Sequence, residues 1–273
     1  MPVPLVLVHG NPENSGVWGP LLEVLGRDDA VSLSPPGFGV PAPDGFSATV
    51  EGYRAWLAAR LEQFREPVDL VGHDWGGAHV ARIAMTRPDL IRSWASDALG
   101  LFAPDYVWHA RAQVWQQEGA GEASVKEIFG GTPAQRLEVV NGLGMTGPAA
   151  ERVAAGMDDG MGRAVLSLLR SAAQPVMADA GRDLAKARQR PGLALIALAD
   201  ADQASGTPAQ HRFAGEAAGA EIAELPGTGH WWPVTDPHPV ARALTAFWSR
   251  LDGQASERTR GEFAAPPRPG IQR

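Results

Sequence analysis

Three residues that could act together, Asp74, Asp202 and His230, follow one another in the order nucleophile, acid, base. Asp74 stands in Gly72-His73-Asp74-Trp75-Gly76-Gly77. An apolar run leads into this stretch and a helix-compatible one leads out. The small residues allow a sharp strand-to-helix turn, the spacing of a nucleophile elbow with aspartate where serine is usual. A carboxylate held there lies over the first N–H groups of a helix and stays ionised, as a nucleophile must. An aspartate that simply caps the helix would fit the same residues. Its role therefore depends on what the rest of the chain places beside it. His230 lies in Gly227-Thr228-Gly229-His230-Trp231-Trp232-Pro233, a glycine-rich loop after an alternating stretch. Asp202 follows the pure apolar run Leu193 to Leu198, with Asp200 as a solvated neighbour.

The elements that must position these groups alternate. Leu5 to Val8, Ala30 to Leu33, Pro67 to Val71, Ile91 to Leu99, Leu193 to Leu198 and Glu221 to Leu225 read as strands. Helices lie between them: one opened by Pro20, one from an N-cap at Ser47 to Phe64, one from Ala78 to Thr86, one from Thr207-Pro208 to about Ala218, and a last one carrying Val240, Leu244, Phe247, Trp248 and Leu251. This is an α/β pattern, a mostly parallel sheet of about six strands flanked by helices. Ligands bind outside the carboxyl ends of such strands, where Asn11, Asp74 and Asp97 fall. Residues 101–190 break the alternation with candidate helices only: Tyr106–Gln117, Ala123–Phe129, Pro133–Leu143, Pro148–Met157, Gly160–Met177 and Arg182–Arg188. They are expected to form a helical cap inserted after the fourth strand, dividing the core into 1–100 and 191–252. Phe102, Tyr106, Trp108 and Trp115, near its start, either pack helices or line an apolar pocket. Residues 253–273 are polar and rich in arginine, glycine and proline, the composition of a disordered tail.

Composition narrows the class. The chain has 273 residues, a net charge of −7 and no basic stripe, which argues against nucleic-acid binding. It has no cysteine, so disulfides and thiolate metal sites are excluded. No apolar stretch approaches spanning length, and the first residues are too short and uncharged for a signal peptide. A cytoplasmic protein acting on a small hydrophobic substrate and water is the expectation, with no cofactor, no metal and an oligomeric state the sequence does not reveal. His79, His109, His211 and His238 lack motif context and read as surface residues; His9 and His73 read as supports of their turns.

The sequence resembles the α/β-hydrolase-fold proteins of the haloalkane dehalogenase and epoxide hydrolase branch. The likeness is carried by His9-Gly10-Asn11-Pro12-Glu13, Gly72-His73-Asp74-Trp75-Gly76-Gly77, Asp202 and Gly229-His230-Trp231, and it is weaker across the cap. The family has two further strands before the His-Gly loop, so a shortened sheet is expected. The resemblance implies attack by Asp74 on a saturated carbon, an alkyl-enzyme ester, and its hydrolysis by water activated by His230 and oriented by Asp202; Asp97 is the alternative seat for that acid. It also assigns Asn11 and Trp75 as N–H donors to a released halide. Epoxide hydrolases instead open the ring with cap tyrosines. This chain has two tyrosines: Tyr53, on a core-facing stripe, and Tyr106, an alternative acid at the cap's start. A dehalogenase is expected first and an epoxide hydrolase second. A non-hydrolytic enzyme or small-molecule-binding protein using the same pocket is a further alternative.

Overall fold

A computed structural model describes residues 3–199 and 204–264, with side chains through residue 254. Six parallel strands, β1 (Leu5–Val8), β2 (Val31–Leu33), β3 (Val68–Gly72), β4 (Ile91–Ser96), β5 (Gly192–Ala197) and β6 (Glu221–Leu225), form one sheet in the order β2-β1-β3-β4-β5-β6. The interior strands β1 and β3 are buried along their whole length, as near-continuous Leu/Val runs demand when helices cover both faces. At the edge, β6 has Glu221, Ile222 and Glu224 exposed. The expected α/β-hydrolase architecture is therefore observed, including the six strands.

The helices are α1 (Gly19–Leu25), α2 (Val50–Leu61), α3 (Trp75–Thr86), α4 (Ala110–Gln116), α5 (Ala120–Phe129), α6 (Pro133–Gly142), α7 (Gly147–Gly156), α8 (Asp159–Ser171), α9 (Val176–Gly181), α10 (Pro208–Ala218), α11 (Trp232–Thr235) and α12 (Pro237–Ala264). Helix α3 packs between the sheet and α2, which explains why nearly all of its residues are buried. The N-cap of α2 is Thr49 rather than Ser47: Thr49 Oγ1 accepts from the Gly52 N–H at 3.1 Å. Ser47 lies two residues outside, with its hydroxyl on that of Thr49. Helix α10 starts as expected at a Thr207/Gln210 capping box.

Between β4 and β5 the described chain is helical throughout, from α4 to α9 and a turn at Leu184–Gln189. The single helix expected over Gly160–Met177 is two, α8 and α9, because Pro175 has no N–H to continue the ladder. Helix α8 buries Met161, Val165, Leu168 and Leu169 on one stripe and packs on α4 and α5. The strand expected to reach Leu99 ends at Ser96 and passes into a tight turn over Leu99–Phe102. The final helix continues past the tail boundary expected at Gly253, to Ala264. No helix among the described residues is long and apolar enough to cross a membrane.

Candidate active site

Strand register sets the level of the site. Val8 pairs with Gly72 and Gly72 with Ser96, so the residues that follow, His9, His73 and Asp97, leave the sheet side by side. Asp74 comes one residue later, at φ 52° and ψ −126°. It is the one non-glycine residue at positive φ among those described. Such a backbone costs on the order of 1–3 kcal/mol and persists only where its surroundings hold it. Close packing is part of that hold. A Cβ on Gly76 would lie 2.0 Å from Val8 O, and one on Gly10 would lie 2.1 Å from Asp74 Oδ1. Both positions need glycine for approach rather than for turning.

The two carboxylate oxygens of Asp74 have different surroundings. Oδ1 accepts from the Asn11 backbone N–H at 3.0 Å. Oδ2 faces His230 Nε2 at 3.8 Å. Burial, the largest influence, raises the Asp74 pKa, and the nearby His230 works against that rise. The strand-end residues Asp74, His230 and Asn11 thus meet, and Trp75 lies beside them at the start of α3. Asp202, with its neighbour Asp200, lies outside the described residues.

Asp97 is at the site, with its carboxylate turned to other partners. Its Oδ1 accepts from the Asp74 backbone N–H at 2.9 Å. Its Oδ2 bonds His73 Nδ1 at 2.5 Å and accepts from Trp232 Nε1 at 2.6 Å. On the other side of the same ring, Glu13 Oε1 lies 3.2 Å from His73 Nε2. That contact is an ion pair, and neither atom has another hydrogen-bond partner among the described residues. Burial alone would lower the His73 pKa. The Glu13 and Asp97 charges outweigh it and hold the ring well above the usual histidine range. Burial likewise pushes Asp97 up, but the His73 charge and bond, with His230 and Trp232, leave it below its ordinary value. A buried Glu13–His73–Asp97 cluster therefore underlies the nucleophile. The sequence suggests only a turn support at His73, and no motif signals either carboxylate beside it.

Two histidines expected at the surface are buried. His79 stacks on Tyr53 at 5.2 Å between ring centroids, and burial lowers its pKa to about 3. His211 accepts from the Gly100 N–H through Nδ1, contacts Ser205 Oγ through Nε2, and burial lowers it to about 4. Both positions lie on helix faces turned inward, a placement that isolated histidines do not announce. His109 is half-buried at the cavity, and His238 is exposed.

A cavity of about 140 Å³ opens above Asp74. The core contributes Asn11, Trp75 and His230, and the cap contributes Trp108, Arg111 and Trp115, among others. Of the four early cap aromatics, Trp108 and Trp115 line it, while Phe102 and Tyr106 do not. The Tyr106 hydroxyl donates to Ala204 O at 2.6 Å, and that of Tyr53 to Pro36 O at 2.7 Å. Asn11 Nδ2 and Trp108 Nε1 are buried without a hydrogen-bond partner among the described residues. No group of three or more His, Asp or Glu that could hold a metal ion occurs among the described residues.

A strained elbow, a sheet of six parallel strands and a helical insertion over their carboxyl ends coincide with a family match. The model of the alpha/beta hydrolase family covers residues 5–243. The chain belongs to the alpha/beta hydrolase family. Among curated relatives, (E)-2-((N-methylformamido)methylene)succinate hydrolase of Acinetobacter baylyi is 30% identical over 94 residues, 34% of this chain and 36% of that protein's length. Among solved structures, a candidate epoxide hydrolase from Pseudomonas aeruginosa is 21% identical, with TM-score 0.71 over 92% of this chain and 89% of the other. A loop variant of haloalkane dehalogenase DbeA from Bradyrhizobium elkanii is 19% identical, with TM-score 0.66 over 94% and 92%. E-2-(acetamidomethylene)succinate hydrolase is 17% identical, with TM-score 0.69 over 90% and 91%. At these identities the structural likeness shows the alpha/beta hydrolase fold alone, and the neighbours include several hydrolases.

Proposed function

We propose that this alpha/beta hydrolase works through a covalent ester on Asp74 and cleaves a carbon–halogen bond. The observation that carries the reading is the division of labour between the Asp74 oxygens. Oδ1 is held by the Asn11 N–H, and Oδ2 faces the cavity and His230. In the first step Oδ2 attacks the saturated carbon from the side opposite the halogen. The C–O bond forms as the C–X bond breaks, and the halide leaves with the bonding pair. Asn11 Nδ2, buried without a partner on the cavity wall, and the Trp75 indole N–H are the donors assigned to that halide. In the second step His230 takes a proton from water as the water oxygen adds to Asp74 Cγ. The charge that develops on Oδ1 is met by the Asn11 N–H. The tetrahedral centre then collapses, the Cγ–Oδ2 bond breaks, and the alcohol leaves with a proton returned from His230. The net change is one halide and one proton released for each water consumed. The orienting acid for His230 is assigned to Asp202, because each oxygen of Asp97 already has a partner.

The epoxide hydrolase reading is second. It requires a phenol at the reacting oxygen, but neither tyrosine lines the cavity, and both give their hydroxyls to backbone carbonyls, Tyr53 to Pro36 O and Tyr106 to Ala204 O at the cavity's edge. A catalyst that did no hydrolysis would use the same cavity without forming an ester. One experiment separates all three readings. The His230→Phe variant is incubated with bromoalkanes and epoxides and examined by intact mass. A bromoalkane should leave an alkyl adduct, which peptide mapping places on Asp74, with bromide released once per protein. An adduct from epoxides alone would replace this reading by the second. No adduct across a varied panel would remove the Asp74 ester mechanism.

A further inference from the structure

The cavity wall is strongly asymmetric in its hydrogen-bonding character. Among the described lining residues, the one carboxylate is Asp74 itself. Two wall residues, Asn11 and Trp108, only 9% and 6% exposed, each carry a buried N–H donor with no acceptor among the described residues. Donors left in this state point to a ligand that brings acceptors of its own. Arg111, exposed on the first turn of α4, lines the same cavity. It is the one fixed cation of the described lining and makes no ion pair or hydrogen bond among the described residues. A neutral haloalkane has no use for a guanidinium. An organic anion does, because the planar fork matches a carboxylate in two parallel bonds. The protein's net charge of −7 would otherwise repel anions, so a cation beside the cavity gives them a local approach.

Two constraints shape such a ligand. The cavity of about 140 Å³ is near the roughly 150 Å³ that encloses a benzene-sized guest, which allows about six non-hydrogen atoms inside. The charge of Asp74 also disfavours a second carboxylate next to it. The anionic group therefore belongs at the Arg111 end, several bonds away from the reacting carbon.

We infer that the substrate is a short-chain organic acid whose carboxylate rests on Arg111 while its far carbon faces Asp74, with the leaving group on that carbon turned away from the attacking oxygen. This deepens the Asp74-ester reading and rests on it for the reacting end alone, since the carboxylate subsite is a matter of binding. The substrate is then an anion rather than the neutral hydrophobic molecule that the sequence suggests.

The test separates the two ends. Four tryptophans, Trp75, Trp108, Trp115 and Trp231, line the cavity, so their fluorescence reports its occupancy. Butyrate and its neutral isostere butyramide are titrated into the unaltered protein and into Arg111→Gln and Arg111→Lys. Butyrate should bind roughly 10- to 100-fold more tightly than butyramide. The preference should vanish in Arg111→Gln, survive largely in Arg111→Lys and weaken with added salt. Equal affinities, a preference that persists in Arg111→Gln, or no saturable binding of either ligand would overturn the inference. In parallel, His230→Phe is treated with 3-bromopropionate, 4-bromobutyrate and 5-bromovalerate and examined for an ester on Asp74. Butyrate selectivity without an adduct would leave the anion subsite standing and remove the Asp74 reading. An adduct without butyrate selectivity would do the reverse.

Discussion

At the scale of single residues, Asp74 combines a strained backbone with a carboxylate whose pKa is raised. The sign of its effect on stability follows from linkage. Below its ordinary value of 3.8 both folded and unfolded chains hold the proton, and the site costs nothing in charge burial. As pH rises through the folded pKa, the unfolded chain ionises more readily, and the folded state loses stability relative to it. Asp74→Asn keeps an oxygen for the Asn11 N–H, and asparagine tolerates positive φ. The variant should therefore unfold at a higher temperature than the parent near about pH 7, with the gain disappearing near about pH 3. Calorimetry at the two pH values checks this, and a lower midpoint at neutral pH would contradict it. On the proposed Asp74-ester mechanism, hydrolysis should be lost as well, because an amide is no nucleophile.

At the scale of elements, the aligned carboxyl ends of β1, β3 and β4 bring Glu13, His73 and Asp97 together under the elbow. The cluster joins three segments: the loop after β1, the turn after β3 and the end of β4. Asp97→Asn would leave the His73 imidazolium short of one of its two carboxylates in the protein interior. Breaking a buried pair of this kind costs about 3–5 kcal/mol. The lowered pKa of Asp97 adds stability above its ordinary 3.8, which is lost as pH falls through the folded value. The raised pKa of His73 adds stability below its ordinary 6.5, lost as pH rises through its folded value. The gap between Asp97→Asn and the parent in urea unfolding should be widest between those two pH values and close towards acid. A gap independent of pH would mean that the carboxylate acts as a neutral hydrogen-bond partner. Because Asp97 also holds the Asp74 N–H, activity should fall even where the variant remains folded.

At the scale of the whole molecule, polar contacts tie the cap to the core. Trp231 Nε1 donates to Leu143 O, and Asn14 Nδ2 donates to Arg152 O at 2.8 Å. Trp231 follows His230 directly and lines the cavity, so it links the Leu143 segment to the residue proposed as base. Trp231→Phe retains an aromatic ring and loses one hydrogen bond, a stability cost of about 0.5–1.5 kcal/mol. If cap seating governs substrate capture, KM should rise several-fold with a smaller change in kcat. Steady-state kinetics on a substrate identified by the trapping experiment, together with thermal unfolding, measures both.

The sheet and the elbow were legible because they are local. Each strand is a short apolar run, and the Gly-x-Asp-x-Gly-Gly spacing signals a sharp turn, although the surrounding strands are what hold it. The division of α8 from α9 was missed, although Pro175 marks it, because a single helix was expected over Gly160–Met177. The partner of Asp97, the burial of His79 and His211, and the composition of the cavity wall were not legible. His79 needs Tyr53 and Trp75 from two helices to become a buried ring. His73 needs Glu13 and Asp97, which lie on opposite sides of it in the chain, to hold its charge. Residue types, order and strand-end position were therefore determined by the sequence alone, through periodicity and turn chemistry. Which carboxylate meets which histidine, and which N–H groups face the substrate without an acceptor, was decided by tertiary packing, because those contacts join segments that no sequence period relates.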